Sequence, residues 1–225
     1  MTNLQKVKEF AEKYFKDNKD SVHDMDHVLR VYNMVLKLAK NEKVDLEVLK
    51  ISVLFHDIGK IKEAKDKTGK IDHAIESAKL AKPFLITLGL KESKIQHILD
   101  CIISHRHRNN IEPKTLEAKI LYDADKIDSI GAVGIAKAFA WIGINNAHIY
   151  RKVNISKYIK ENMGGKINGK IIDQSKHSHQ IEWEVKYKDM VKKLYTKKAK
   201  IIARKRLKYH KNFLDKLERE IKGIE

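Results

Sequence analysis

"LFHDIGK", Leu54–Lys60, places a histidine and an aspartate side by side at the end of an apolar run and follows them with a glycine. Apolar residues recur at helical spacing through 45–58. The stretch therefore predicts a helix entering the core, with Asp45 as its N-cap and Gly59 as its stop. Two strong polar groups at the buried end of such a helix cost free energy unless they are paired or bind a cation. The reading of the whole chain turns on whether other histidines and carboxylates converge on the same point.

The surrounding pattern is helical almost throughout. Residues 3–16 set Val7, Phe10, Ala11, Tyr14 and Phe15 on one stripe, and residues 26–40 do the same with Val28, Val31, Val35 and Leu38. Asp24 or Ser21 is a candidate cap for that second helix. "KIKEAKDKTGKID" reads as a polar connection, and residues 72–88 as a helix that Pro83 should kink or divide. Residues 91–104 give another helix, followed by a loop around "HRNNIEP". Residues 115–142 read as one long helix or two abutting ones, with Gly131 and Gly134 at places of close packing. Only two prolines and ten glycines punctuate the 225 residues, and strand-like alternation is almost absent. The expected fold class is all-α. The expected organisation is a compact helical core over 1–142, an irregular excursion over 143–180, and basic helices over 181–225 that pack on the core.

Eleven histidines are present, and their placement is informative. His23, His27 and Arg30 fall on one face of one helix. His56 and Asp57 end the next apolar helix. His73 and Glu76 lie three apart near a helix start, and His105 ends another helix. Asp123, Asp125 and Asp128 cluster in "DADKIDSIGAVGIAKAFA". A lone histidine of this kind is more often a hydrogen-bonded core residue than a ligand. Several of them interrupting apolar stripes reverse that weighing. A mixed imidazole and carboxylate set suits Mn, Fe, Co, Ni or Zn, and the single Cys101 argues against a closed structural zinc site. Open positions on such a cation would hold water and lower its pKa toward neutrality.

The order His27, then His56-Asp57, then Asp125 resembles the signature of the HD-domain metal-dependent phosphohydrolases. The flanks that carry the resemblance are "HDMDHVLRV", "LFHDIGK", "HAIESA", "IISHRH" and "EAKILYDADKIDSIGAVGIAKAFA". The last is similar to the small bacterial subgroup that includes nucleoside triphosphate pyrophosphohydrolases. The likeness runs from about residue 20 to 142 and continues more weakly from His179 into the basic terminal helix. It implies an HD-domain helical bundle in which His27, His56, Asp57 and Asp125 bind a divalent metal ion (Mn, Mg, Co, Ni, Fe or Zn). His73 and His105 stand where relatives with two metals carry further ligands, and they are equally candidates for holding phosphate. Some relatives carry an acidic residue just after the HD pair. This chain has Lys60 instead, which could hold a phosphate oxygen. Asp57 is expected to accept a hydrogen bond from the attacking water, with Glu76 a possible base. Arg30, Lys60, His105 and Lys126 would offset charge on the substrate.

The implied function is metal-dependent hydrolysis of a phosphate ester or anhydride in a small phosphorylated substrate, a nucleotide above all. The alternatives are a phosphomonoesterase acting on nucleoside monophosphates, a catalytically silent HD scaffold, and a nucleic-acid-binding protein. The formal charge of +17 is uneven, since residues 150–225 hold 22 Lys/Arg against 9 Asp/Glu. A basic surface attracts phosphates and nucleic acid alike, but aromatic interleaving in "KKAKIIARKRLKYHKNF" is sparse, and a solvated helical face explains the run as well. The tail is expected to modulate substrate attraction or assembly, a homo-oligomer included, without performing chemistry. No Gly-x-Ser-x-Gly elbow is present, and "KTGK" at 67–70 lacks the rest of a Walker loop. No apolar run reaches membrane-spanning length and no signal-peptide core opens the chain, so a cytoplasmic protein without a membrane partner is expected.

Overall fold

The computed structural model describes residues 1–16, 22, 24–106, 111–167 and 169–224. His23, Ser21 and part of the loop around "HRNNIEP" lie outside the described residues. The expectation of an all-α fold holds: every named element is helical, and the extended pairing among the described residues is one isolated bridge, His148 with Ser178. The chain divides into two compact units, Met1–Asp125 and Lys126–Glu225.

The first unit contains α1 (Asn3–Phe15), α2 (Met25–Ala39), α3 (Leu46–Phe55), α4 (Lys60–Lys65), α5 (His73–Thr87), α6 (Glu92–Ser104) and most of α7 (Leu116–Asp128). Its centre is α3, where Val48, Leu49 and Ile51 through Phe55 are all buried. A helix apolar on every side must be surrounded, and α1, α2, α5 and α6 each pack on it. Phe10 stacks on Phe84 at 4.1 Å between centroids, and Phe55 meets both rings edge-on. The helix starts are set by side-chain caps. Asp45 accepts from the N–H groups of Glu47 and Val48, Asp24 from that of His27, and Asp72 from those of Ala74 and Ile75.

Three expectations for this unit change. The polar connection after "LFHDIGK" contains a helical turn and a half, α4. Pro83 does not divide α5, which runs unbroken from His73 to Thr87. Gly59 is no αL stop: its φ is −83°, and it is the N-cap of α4. What makes it glycine is proximity. A Cβ there would lie 2.6 Å from the carbonyl oxygen of His73 and 2.7 Å from the amide nitrogen of Ser77. The same close approach lets the Gly59 N–H donate to Ser77 Oγ at 2.9 Å. "KTGK" is a turn, with Asp66 accepting from the N–H groups of Thr68 and Ile71 and Gly69 at φ +69°.

The second unit contains α8 (Gly131–Ile144), α9 (Ile155–Asn162), a 3-10 turn at Gln174–Lys176, α10 (His179–Glu182), a π-helical turn at Trp183–Tyr187, α11 (Met190–Lys193) and α12 (Lys197–Ile221). Of the two readings of residues 115–142, the structure has two helices, α7 and α8, parted at Ser129–Ile130. Residues 143–180, expected to be irregular, include the two turns of α9. The α12 helix buries Ala199, Ala203, Leu207, His210 and Leu214 along one stripe. It also closes the α7–α8 elbow: Arg206 donates to the Ile127 carbonyl at 2.8 Å, and the Gly131 N–H donates to His210 Nδ1 at 3.2 Å. Gly131 has φ +77°, and a Cβ on it would meet the Arg206 side chain at 3.0 Å. His210 and His179 stack, with their Nε2 atoms 2.6 Å apart. Because His210 Nδ1 accepts, its Nε2–H donates to His179. His179 Nδ1 is buried without a partner among the described residues. Among the described residues, no single helix is long and apolar enough to cross a membrane.

Two predictions come from this packing. Gly59→Ala forces a methyl group against backbone atoms of α5 and should destabilise the protein by about 1–3 kcal/mol in denaturant titrations. Burial, with the neighbouring His210 adding to it, pushes His179 down to about 3, and burial pushes His210 down to about 4. Both rings are neutral when folded, whereas an unfolded histidine titrates near pH 6.5. The unfolded chain thus binds more protons below about pH 6.5, so this contribution is complete above that pH and is lost as pH falls toward 4. Unfolding free energy measured at pH 7 and pH 4.5 should drop by roughly 5 kcal/mol from this pair, and His210→Asn should make the drop shallower.

Candidate metal centre

The end of α3 delivers His56 and Asp57 into the interior of the first unit, where both are buried. His56 is the C-cap of α3, and its Nδ1–H donates back to the Val53 carbonyl at 2.7 Å. That bond fixes the tautomer and leaves Nε2 as the acceptor facing inward. His27, in the first turn of α2, brings its Nε2 to 3.4 Å from that of His56. Asp57 Oδ2 lies 3.6 Å from His27 Nε2 and 3.8 Å from His56 Nε2. Asp125 approaches along α7, with Oδ1 at 3.4 Å from His27 Nε2, and is the most exposed of the set at 18%.

The other oxygen of Asp57 faces a second pair. Oδ1 lies 3.3 Å from His73 Nε2 and 3.5 Å from His105 Nε2, and those two nitrogens are 3.3 Å apart. His105 is the C-cap of α6 and ties its Nδ1–H to the Ile102 carbonyl at 2.6 Å. His73 opens α5 and ties its Nδ1–H to Glu63 Oε2 at 2.7 Å. Two donor groups result, His27 with His56 and Asp57, and Asp57 with His73 and His105. In each, the ligand atoms lie within 4.8 Å of one another.

The electrostatics suit a cation. Burial, foremost, holds His56 near 4, with the neighbouring imidazoles adding to it, and burial followed by the Lys60 ammonium does the same for His73. Both rings therefore present unprotonated Nε2 lone pairs at neutral pH. Burial also works to raise Asp57, but His56, His105, His73 and Lys60 outweigh it and hold its carboxyl well below the usual carboxylate range. Buried Nε2 lone pairs facing one another at 3.3 Å across an ionised carboxylate are unfavourable without a positive charge between them. The residues fit a divalent cation, and the donor set leaves open which metal is held.

The remaining candidates fall around this centre or apart from it. Lys60 Nζ lies 3.4 Å from His73 Nδ1 and 3.7 Å from Glu63 Oε2. Arg30 is half-buried on α2, one turn past His27, and Lys126 is half-buried next to Asp125 on α7. Glu76 belongs to neither donor group, and its carboxylate takes a 2.6 Å hydrogen bond from Lys62. Asp128 is engaged by Lys137 at 2.8 Å within the second unit. Sequence reasoning missed Glu63 and Arg106. Burial raises Glu63, but its bond from His73 and the Lys60 and Arg106 charges bring it down to about 2. Arg106 donates to Glu63 Oε1 at 2.6 Å and reaches Asp72 at 2.9 Å. With α4 read as a loop, no pattern pointed to Glu63.

Residues 24–130 match the HD domain family, and the buried His/Asp centre lies within that span. Over 92% of its length it is 26% identical to the uncharacterized protein YpgQ of Bacillus subtilis strain 168, covering 89% of that protein. It is also 26% identical to a crystal structure of a "predicted HD superfamily hydrolase" from an uncultured Thermotogales bacterium. That likeness has a TM-score of 0.64 and covers 96% of this chain and 92% of the other. Bacillus subtilis YpgQ crystallised in complex with ADP has the same fold, with a TM-score of 0.72 at 22% identity, covering 99% of this chain and 100% of that one. Across residues 24–130 the chain is thus similar to the HD domain family, and its buried His/Asp centre is able to hold a divalent cation.

Because both donor groups share Asp57, Asp57→Ala should weaken divalent-cation binding at least tenfold. Wild-type protein in a hundredfold excess of metal over Kd should gain about 2.7 kcal/mol of stability. At the same metal concentration the variant should gain no more than about 1.4 kcal/mol, which thermal melts with and without Mn2+ will read.

Proposed function

We propose that the protein is a phosphohydrolase whose substrate is a nucleotide, cleaved at a phosphate anhydride in the manner of a nucleoside triphosphate pyrophosphohydrolase. One observation carries this reading: Asp57 divides its two oxygens between two buried imidazole pairs, with Oδ2 toward His27 and His56 and Oδ1 toward His73 and His105. In this reading His27, His56, Asp57 and Asp125 hold one cation, and His73 and His105 share Asp57 to hold a second. The bound cations supply positive charge against phosphate oxygens and a water of lowered pKa.

The chain's own residues account for the rest. Asp57 is ionised and accepts a hydrogen bond from the attacking water, orienting its lone pair toward phosphorus. The water oxygen bonds to phosphorus as the bond to the leaving oxygen breaks, and the water's proton passes to solvent or to the leaving group. Lys60, 24% exposed beside the His73 pair, is placed to hold a phosphate oxygen. Arg30 and Lys126 add positive charge along α2 and α7. Burial of the four imidazoles thins the water around the reaction, so each charge acts more strongly there than at the surface. Glu76, taken up by Lys62, has no chemical step in this reading. The ADP bound by the Bacillus subtilis relative supports a nucleotide as the ligand class.

The test is a nucleotide panel on metal-stripped protein resupplied with Mn, Co, Ni or Mg, with products separated. Release of pyrophosphate and a nucleoside monophosphate from a triphosphate is expected, at a rate at least a hundredfold lower in Asp57→Ala. Brisk cleavage of phosphomonoesters with no turnover of any triphosphate would replace the nucleotide anhydride by a monoester. Silence on both would leave the HD domain as a scaffold.

A further inference from the structure

We infer that Glu63 is a positioning residue that holds His73 in the tautomer and orientation needed for a second divalent cation, and that Arg106 fixes Glu63 from its other side. This rests on the two-cation reading above. The need for it comes from where His73 sits in the fold. His56 and His105 are helix C-caps, and each finds an acceptor for its Nδ1–H in the carbonyl three residues back, Val53 and Ile102. His73 is the first residue of α5, so no preceding helical turn offers a carbonyl. Its Nδ1–H depends on a side chain from another element, and Glu63 of α4 supplies it at 2.7 Å.

Glu63 is in turn held. Its Oε1 accepts from Arg106 at 2.6 Å, and Arg106 also reaches Asp72 at 2.9 Å. Asp72 is the N-cap of α5, and Arg106 directly follows His105. The clamp Glu63–Arg106–Asp72 therefore ties α4, the start of α5 and the end of α6 into one unit around the His73–His105 pair. It touches neither His27 nor His56. A carboxylate on the far nitrogen of a ligating histidine fixes the ring and raises its basicity, and losing such a partner weakens metal binding by about 10- to 100-fold. The effect here is confined to one of the two donor groups, which separates it from a general loss of structure.

Calorimetric titration of metal-stripped protein with Mn2+ tests this. Wild type should take up two cations per chain. Glu63→Ala should keep the first at wild-type affinity and bind the second at least about tenfold more weakly, with the melting temperature of the metal-free protein little changed. Glu63→Gln keeps an acceptor for Nδ1–H without the charge and should recover the second cation to within about fivefold of wild type. If Glu63→Ala does not fold, Glu63→Ser, too short to reach His73, replaces it. Two cations bound by Glu63→Ala at wild-type affinity would overturn the inference and leave the two-cation reading standing. Glu63→Gln as weak as Glu63→Ala would overturn the positioning role in favour of charge alone. A wild-type protein that binds a single cation would overturn the two-cation reading and the inference together.

Discussion

The structure of the first unit depends on one ionised carboxylate at the end of a helix whose last turns are buried. Ile51 through Phe55 of α3 are all buried, the buried run continues through His56, and the chain puts Asp57 next. A charge in that position is unfavourable unless its oxygens are satisfied. Asp57 turns its two oxygens toward four imidazoles drawn from α2, the end of α3, the start of α5 and the end of α6, and a cation held among them would offset its charge. The elements that pack around α3 for apolar reasons are the same ones that bring the ligands. Core packing and site assembly are thus one constraint.

The turn after Asp57 adds a second restriction. Gly59 sits so close to the backbone of α5 that no side chain fits, and its N–H bonds Ser77. This contact sets the distance between the HD turn and the first turn of α5, where His73 begins. Rigid packing on both sides keeps the imidazoles in place without a ligand, as a preorganised site requires. The α4 helix, folding back along α5, places Glu63 and Lys60 at the His73 edge.

The second unit solves a different electrostatic problem. Its long helix α12 has eight basic residues between Lys197 and Lys211 and no acidic residue before Asp215. The last turns pair their cations internally, Lys211 with Asp215, Lys216 with Glu220 and Lys222 with Glu218. The first turns have no such acids within the helix, so Arg204, Lys205 and Lys208 stand in solvent. Such a face raises the local concentration of anions, an effect that salt screens. The buried His179–His210 pair is the counterpart inside: polar rings kept neutral by burial, with His210 bonded to the Gly131 N–H and to His179.

Much of this was legible in the amino-acid sequence alone. Helical periodicity gave the all-α class and most helix bounds, and Asp24 and Asp45 stood where caps belong because capping is a local hydrogen bond. The histidines and carboxylates that interrupt or follow apolar stripes were visible as a set, because polar groups there need a partner, and the resemblance to the HD-domain phosphohydrolases singled out His27, His56, Asp57 and Asp125 among them. What local pattern could not supply was proximity between distant segments. Gly59 looked like a helix stop, yet its smallness answers to α5, eighteen residues on in the case of Ser77. Glu63 and Arg106 looked like two more charges in a chain that is 34% charged. Only the packing of α4 against α5 makes Glu63 the acceptor that His73 lacks. The sequence determined which residues must be buried and which could ligate. The tertiary structure decided which of them share one carboxylate, because that depends on distances across helices rather than along them.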